Sequence, residues 1–245
     1  MSEVKSRYNL FPMIFMQLAK YYYFFLFLFR KWFGVKRTFT FHGKDYGYFL
    51  HPYNTTWRNE RAVELPIALE ILREYDPREV LEVGNVLSHY IRSAHQVVDR
   101  YEGGKNVIKE DIVNYRSSTR YKLIVCLSTL EHVGFDETPL EFEKHRKALQ
   151  VMRLLLASDG RLLVTIPLGY NPDLDADLYA GQLPFEKITF MKRNSRETWE
   201  ETTKENVMDA KYGKPFKAAN AIAICFAKSV ASVKENKCLS TKTSQ

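Results

Sequence analysis

Apolar positions along the chain follow two periods. Short, nearly continuous apolar runs at 79–83, 96–98, 121–127 and 161–166 have the length and β-branched content of buried strands. Between the last two, residues 138–156 place Leu140, Lys144, Leu149, Met152 and Leu156 at helical spacing, and Gly160 of "ASDG" stands where a helix stop is expected. Upstream, Ala62, Leu65, Leu69 and Leu72 repeat at helical spacing, with Pro66 early and Asp76-Pro77 closing the segment. Helix then strand, and strand-helix-strand, predict a parallel sheet with right-handed crossovers. "ITFMKR" and "AIAICFAK" add two late strands separated by a polar helix or loop, and residues 39–58 read as short extended pieces and loops.

The segment 11–33 obeys neither period. It holds eleven of the chain's 34 aromatic residues and predicts a helix covered by something. Residues 11–29 have the length of a membrane span, but Gln17 and Lys20 lie near the middle, where a lysine costs about 2.5 to 3.5 kcal/mol. Three readings stay open: a helix lying in a membrane interface, a helix packed on protein, and a spanning helix. A cleaved signal is disfavoured, because "RKWFG" lacks a small-residue cleavage site. The chain thus divides into a basic, aromatic N-terminal segment (1–38), a body (39–228) and a polar tail (229–245) expected to be disordered.

Charge sharpens this division. Residues 1–45 carry eight Lys or Arg against Glu3 and Asp45, and the last 18 residues carry four Lys against Glu235. Of the chain's net +7, residues 46–227 therefore hold −2. The body is not a basic nucleic-acid surface. Three scattered cysteines, Cys126, Cys225 and Cys238, point to a reducing compartment, and no Cys/His spacing suggests a metal site. A cytoplasmic body is expected, with membrane association through residues 11–33 among the open alternatives; the Asn54-Thr55-Thr56 acceptor triplet would then be silent.

Three segments carry chemistry. "VLEVG" (80–84) ends an apolar strand in an acidic residue and a glycine, "YKLIVCLSTLEHVG" (121–134) ends a strand in Ser128 and an "LEH" turn, and "LLASDGRLLVTIPLG" (154–169) joins a helix to a strand. In this order they resemble the class I S-adenosylmethionine-dependent methyltransferases, over roughly residues 59–228. The resemblance implies an α/β fold, a Rossmann-like doubly wound and mostly parallel sheet of methyltransferase type, here preceded by the aromatic-rich helix. It also implies S-adenosylmethionine as cofactor. Ligands of such sheets bind beyond the carboxyl ends of the strands, at the switch point. By the family pattern Glu82 and Gly84 meet the methionine portion of the cofactor, Asp99 the ribose hydroxyls, and Asp111 the adenine. Ser128 lies at another strand end. Two departures stand out. Only 12 residues separate Gly84 from Val97, enough for a short helix, and only seven separate Asp99 from Val107, too few for a crossover helix. The loop also has one glycine, with Asn85 placed to take a second left-handed position.

For an oxygen nucleophile, His132, Glu131 and His89 are the candidate general bases. Residues 53–61 and Tyr170-Asn171-Pro172 are expected substrate walls. The resemblance and the acidic body favour a small-molecule, glycan or lipid-linked acceptor over nucleic acid. The alternative is a methyltransferase-like scaffold that no longer binds cofactor.

Overall fold

The computed structural model describes residues 10–34 and 37–230; of the expected disordered tail, 231–245 lie outside the described residues. The described residues begin with α1 (Leu10–Phe33), followed by a hairpin of β1 (Thr38–Phe41) and β2 (Lys44–Gly47). A 3₁₀ segment, Tyr53–Arg58, leads into α2 (Arg61–Leu72). Pro66 sits inside α2 and cannot donate to the Ala62 carbonyl one turn back. The Phe49 N–H takes that carbonyl at 2.9 Å instead, so the proline ties the post-hairpin loop to the helix.

The main sheet is built from β3 (Val80–Val83), β4 (Gln96–Asp99), β5 (Val107–Lys109) and β6 (Tyr121–Leu127). After α3 (Lys144–Leu155) and β7 (Leu156–Pro167) come α4 (Pro172–Tyr179), β8 (Lys187–Arg193), β9 (Trp199–Thr202) and β10 (Ala221–Lys228). The eight strands lie in the order β5-β4-β3-β6-β7-β10-β8-β9. The first five are mutually parallel. β10 runs antiparallel to both neighbours, β7 and β8, and β9 closes the edge antiparallel to β8. From β3 the chain moves outward to β4 and β5, then returns to the other side of β3 with β6. The switch point therefore lies between β3 and β6. This is the Rossmann-like, doubly wound and mostly parallel architecture expected from the sequence.

Strand alternation explains why both faces are covered. In β6, Ile124 and Cys126 join a core made with Ala148, Leu149 and Met152 of α3 and Leu174 and Leu178 of α4. Leu123, Val125 and Leu127 point the other way, into a core shared with Val63, Leu65 and Ile67 of α2 and with Phe39 and Phe41 of the hairpin. A strand buried on both faces reads as a continuous apolar run, which is what residues 121–127 show.

Several local expectations are corrected. No helix forms between β3 and β4; a 3₁₀ turn, Leu87–His89, replaces it. Helix α3 starts at Lys144 rather than near residue 138, since Glu143 has φ 60° and the Glu141 N–H turns back to the Gly134 carbonyl at 2.9 Å. Gly160 is not a helix stop but lies within β7, where a Cβ would stand 2.7 Å from the Tyr121 carbonyl oxygen. Strand β9, "WEET", went unforeseen.

Helix α1 packs one narrow stripe on the body. Phe27 stacks on Trp57 with centroids 6.4 Å apart, Arg30 binds Glu197 in bidentate fashion, and Arg58 donates to the Tyr23 hydroxyl at 2.6 Å. Among the described residues no helix is long and apolar enough to cross a membrane, which removes the spanning reading.

Candidate functional site

A cavity of about 570 Å³ opens beyond the carboxyl ends of β3, β4 and β6, at the switch point. Val83, Gly84 and Asn85 form its floor, Asp99 to Glu102 one side, Glu110 to Ile112 another, and Thr129, His132, Val133, Asp136 and Glu137 the side opposite; Tyr53, Asn54, Arg61, His89 and Tyr90 reach over it. Of the expected residues, the fold brings Gly84, Asn85, Asp99, Asp111, His89 and His132 to this wall. Glu82, Ser128 and Glu131 lie outside it.

The displacement of Glu82 has a clear cause. Its side chain is fully buried, and Oε1 accepts the N–H groups of Val86 and Leu87 at 2.8 and 2.7 Å. Its Oε2 is 2.8 Å from His95 Nε2. The carboxylate thus holds the loop after β3 from beneath and explains why that loop turns instead of continuing as a helix. Ser128 is likewise consumed: it has φ 39°, and its hydroxyl donates to Glu64 Oε2 at 2.8 Å.

Gly84 has φ 85°, and a Cβ there would collide with the Thr129 side chain. The bare backbone at the end of β3 is needed both for its conformation and for close packing of the "LST" turn. Asn85 is not among the residues with positive φ, so it does not act as a second glycine. It instead gives its N–H to Asp99 Oδ2 at 2.9 Å and its Nδ2 to Glu102 Oε2 at 2.7 Å. Its Oδ1 is buried without a partner.

Asp99 is heavily used by the protein. Besides the Asn85 N–H it accepts those of Tyr101 and Glu102 at 2.7 Å each, leaving about one lone-pair site toward the cavity. Asp111 is held by Arg100 at 2.9 Å and by Lys144 Nζ at 2.7 Å. Both cations also grip Glu137. Burial pushes the Glu137 carboxyl up, but hydrogen bonds from Lys144, the Gly134 N–H and Arg100 outweigh it and hold the group below its ordinary range. These ion pairs staple β5 and α3 across the second crossover, which is too short for a helix.

The opposite wall carries a relay of polar side chains. His132 Nδ1 lies 2.6 Å from Asp136 Oδ2, and the same oxygen accepts the Tyr170 hydroxyl at 2.7 Å. The Tyr170 ring meets His132 edge-on at 4.8 Å. Beneath them Glu131 is buried, with one oxygen unpartnered and the other 3.6 Å from His132 Nε2. Burial pushes its carboxyl well above the usual range. Asn171 is not a wall but the N-cap of α4: its Oδ1 accepts from Asp173 and Leu174, and its Nδ2 donates to the Glu131 carbonyl at 3.0 Å.

Sequence reasoning missed Asp136, Glu102 and Glu137. The first was findable: it stands four residues after His132 in "LEHVGFD", a spacing that puts two side chains on one side of a turn.

Two of the three motif-bearing segments, 80–84 and 121–134, meet at one cavity at the switch point of this sheet, while the third, 154–169, supplies the neighbouring strand β7 and does not line it. The chain has a Rossmann-like, doubly wound and mostly parallel α/β fold. No family model matches it, and no curated protein matches it. Its likeness to solved methyltransferases is distant. A methyltransferase from Thermotoga maritima is 16% identical, with 66% of this chain and 86% of that one aligned at a TM-score of 0.42. A TehB-like methyltransferase from Corynebacterium glutamicum is also 16% identical, covering 65% and 85% at 0.38. A sugar N-methyltransferase from a Streptoalloteichus species is 12% identical, covering 69% and 88% at 0.35.

Proposed function

We propose that the chain is an S-adenosylmethionine-dependent methyltransferase whose cofactor occupies the cavity beyond β3, β4 and β6. The carrying observation is the buried, unpartnered Asn85 Oδ1 beside the bare backbone of Gly84, in a wall bearing Asp99, Glu102, Glu110, Asp111, Asp136 and Glu137. An acceptor without a donor costs roughly 1–3 kcal/mol, so a ligand ammonium or hydroxyl is its natural partner. A predominantly acidic wall suits a cationic sulfonium ligand with an amino-acid head. Asn85 and the remaining acceptor site of Asp99 would hold polar groups of that ligand, while Asp111 and Ile112 would flank its base.

When bound, the cofactor supplies an electrophilic methyl group, and the protein's contribution is position and proton removal. His132 gives its Nδ1 proton to Asp136, which leaves Nε2 as the acceptor for a proton from the incoming nucleophile. Asp136, oriented by Tyr170, then faces the resulting imidazolium at 2.6 Å. Glu131, favoured as the neutral acid, adds no second negative charge behind the ring. Tyr53 stacks on His89 at 4.9 Å and supplies a flat aromatic wall over the cavity. A small-molecule, glycan or lipid-linked acceptor fits this setting. The free, buried Cys126 and Cys225 accord with a cytoplasmic location.

The engagement of Asp99 by three backbone N–H groups favours a second reading, a scaffold that has lost its cofactor. Calorimetric titration with S-adenosylmethionine and S-adenosylhomocysteine separates the two. Micromolar binding supports the enzyme; no heat at millimolar ligand supports the scaffold.

A further inference from the structure

The sequence of α1 is apolar nearly all round, and among its described side chains the body partly covers a stripe of Tyr23, Leu26, Phe27 and Arg30. The opposite face is open to solvent: Tyr21 is 71% exposed, Phe25 66%, Trp32 76% and Phe33 77%. Helices of this kind are buried in protein or in lipid. Beneath the C-terminal end of α1 lies a groove of about 830 Å³, walled by Phe29, Trp32, Phe49 and Trp57 and rimmed by Lys31, Arg37 and Glu197, the last paired with Arg30 and, at 3.7 Å, with Arg37.

Charge selects the occupant. From Val4 to Lys44 the chain contains eight Lys or Arg and no acidic residue. A second copy meeting this face through two-fold symmetry would set Lys31 and Arg37 against their own images, and like charges across an interface are costly. An anionic lipid surface instead neutralises them, with Trp and Tyr at the headgroup level where those side chains are favoured.

We propose that the outward face of α1, together with the groove beneath its C-terminal end, docks the protein on an anionic lipid bilayer, with the helix lying in the plane of the interface. The helix is about 36 Å long at 1.5 Å per residue, and its hydropathy falls short of a span. The 3₁₀ segment Tyr53–Arg58 connects the inner stripe of α1 to the cavity: Trp57 and Arg58 receive Phe27 and Tyr23, and Tyr53 lines the cavity wall. The docked helix therefore packs on the same 3₁₀ segment that lines the site. One consequence rests on the methyltransferase reading, namely that a membrane-borne, lipid-linked acceptor is the substrate class this placement serves; docking itself does not depend on it.

The test uses the full chain without cofactor, so its outcome is independent of methyl transfer. Binding is measured by co-sedimentation with vesicles of phosphatidylcholine alone and of phosphatidylcholine mixed with phosphatidylglycerol. The expected result is partitioning onto the mixed vesicles that weakens with added salt, with a blue shift in tryptophan emission. Trp32 is the reporter, because Trp57 and Trp199 are already buried. Lys31→Ala should lower the partition coefficient about fivefold, the value of one basic charge near an anionic surface. Trp32→Ala should abolish the emission shift. Both side chains are solvent-exposed, so an unchanged melting curve confirms that the variants fold. Equal uptake by the two vesicle types, no uptake by either, or a concentration-dependent dimer that ignores vesicles would overturn the proposal.

Discussion

His132 and Asp136 form a directed pair, with Nδ1 2.6 Å from Oδ2, and the hydrogen bond from Tyr170 to the same oxygen fixes the carboxylate in place. On the proposed methyltransferase reading His132 serves as general base, a role that contributes about 10²–10⁴-fold to rate. His132→Ala should lower kcat by that factor while leaving S-adenosylhomocysteine affinity nearly unchanged. Tyr170→Phe should have a smaller effect, since the pair survives it. Wild-type turnover by His132→Ala would exclude the histidine as base.

Glu82 supports the loop rather than the ligand, and two variants distinguish these roles. Glu82→Ala strands two buried N–H groups and His95, at a cost of at least about 3 kcal/mol by urea denaturation. Glu82→Gln can still accept both N–H groups through its carbonyl oxygen and should cost about 1 kcal/mol, with cofactor affinity kept. A carboxylate that touched the ligand directly would show the reverse pattern in the Gln variant: intact stability and lost binding.

What the sequence reveals and what it hides follow from the range of the interactions involved. The strands β6, β7 and β10 are buried on both faces, so each appears as an apolar run, and their order with α3 is legible. The wall residues Asp99, Asp111 and His132 sit at strand ends or just after them, where the pattern can place them. Strand β9 is invisible because it is a polar edge whose partner β8 alone defines it. The role of Glu82 is invisible for a similar reason, since its partner His95 lies 13 residues on, across a turn that the carboxylate itself creates. Asn85 illustrates the limit of propensity: its tolerance of left-handed backbone goes unused, because Gly84 already takes that conformation and Asp99 fixes the next N–H.

Gly84→Ala should be strongly destabilising for two separable reasons. The φ of 85° costs a residue with a Cβ about 1–2 kcal/mol, and the new methyl strikes Thr129. Thr129→Ala in the same chain removes the nearest atoms of the collision but not the backbone strain. The double variant should therefore be more stable than Gly84→Ala alone, a favourable coupling measurable by a mutant cycle in urea. Strict additivity would mean that the two residues do not press on each other.

Asp175 makes stability fall as pH rises from about 4 to about 6. Burial raises its carboxyl from an ordinary 3.8 to about 6, against the single opposing hydrogen bond from the Gly169 N–H at 2.7 Å, and its other oxygen has no partner. The folded state thus holds this proton more tightly than the unfolded chain does. The stabilising effect is fully present below the unfolded value, declines as pH rises, and is lost once pH passes about 6. Asp175→Asn keeps a neutral side chain and an oxygen for the Gly169 N–H at every pH. The variant and the parent should melt together below about pH 4, with the variant gaining on the order of 2 kcal/mol above pH 7. Thermal denaturation across that range reads the difference, and parallel curves for the two proteins would show that the carboxyl ionises as easily in the fold as in the unfolded chain.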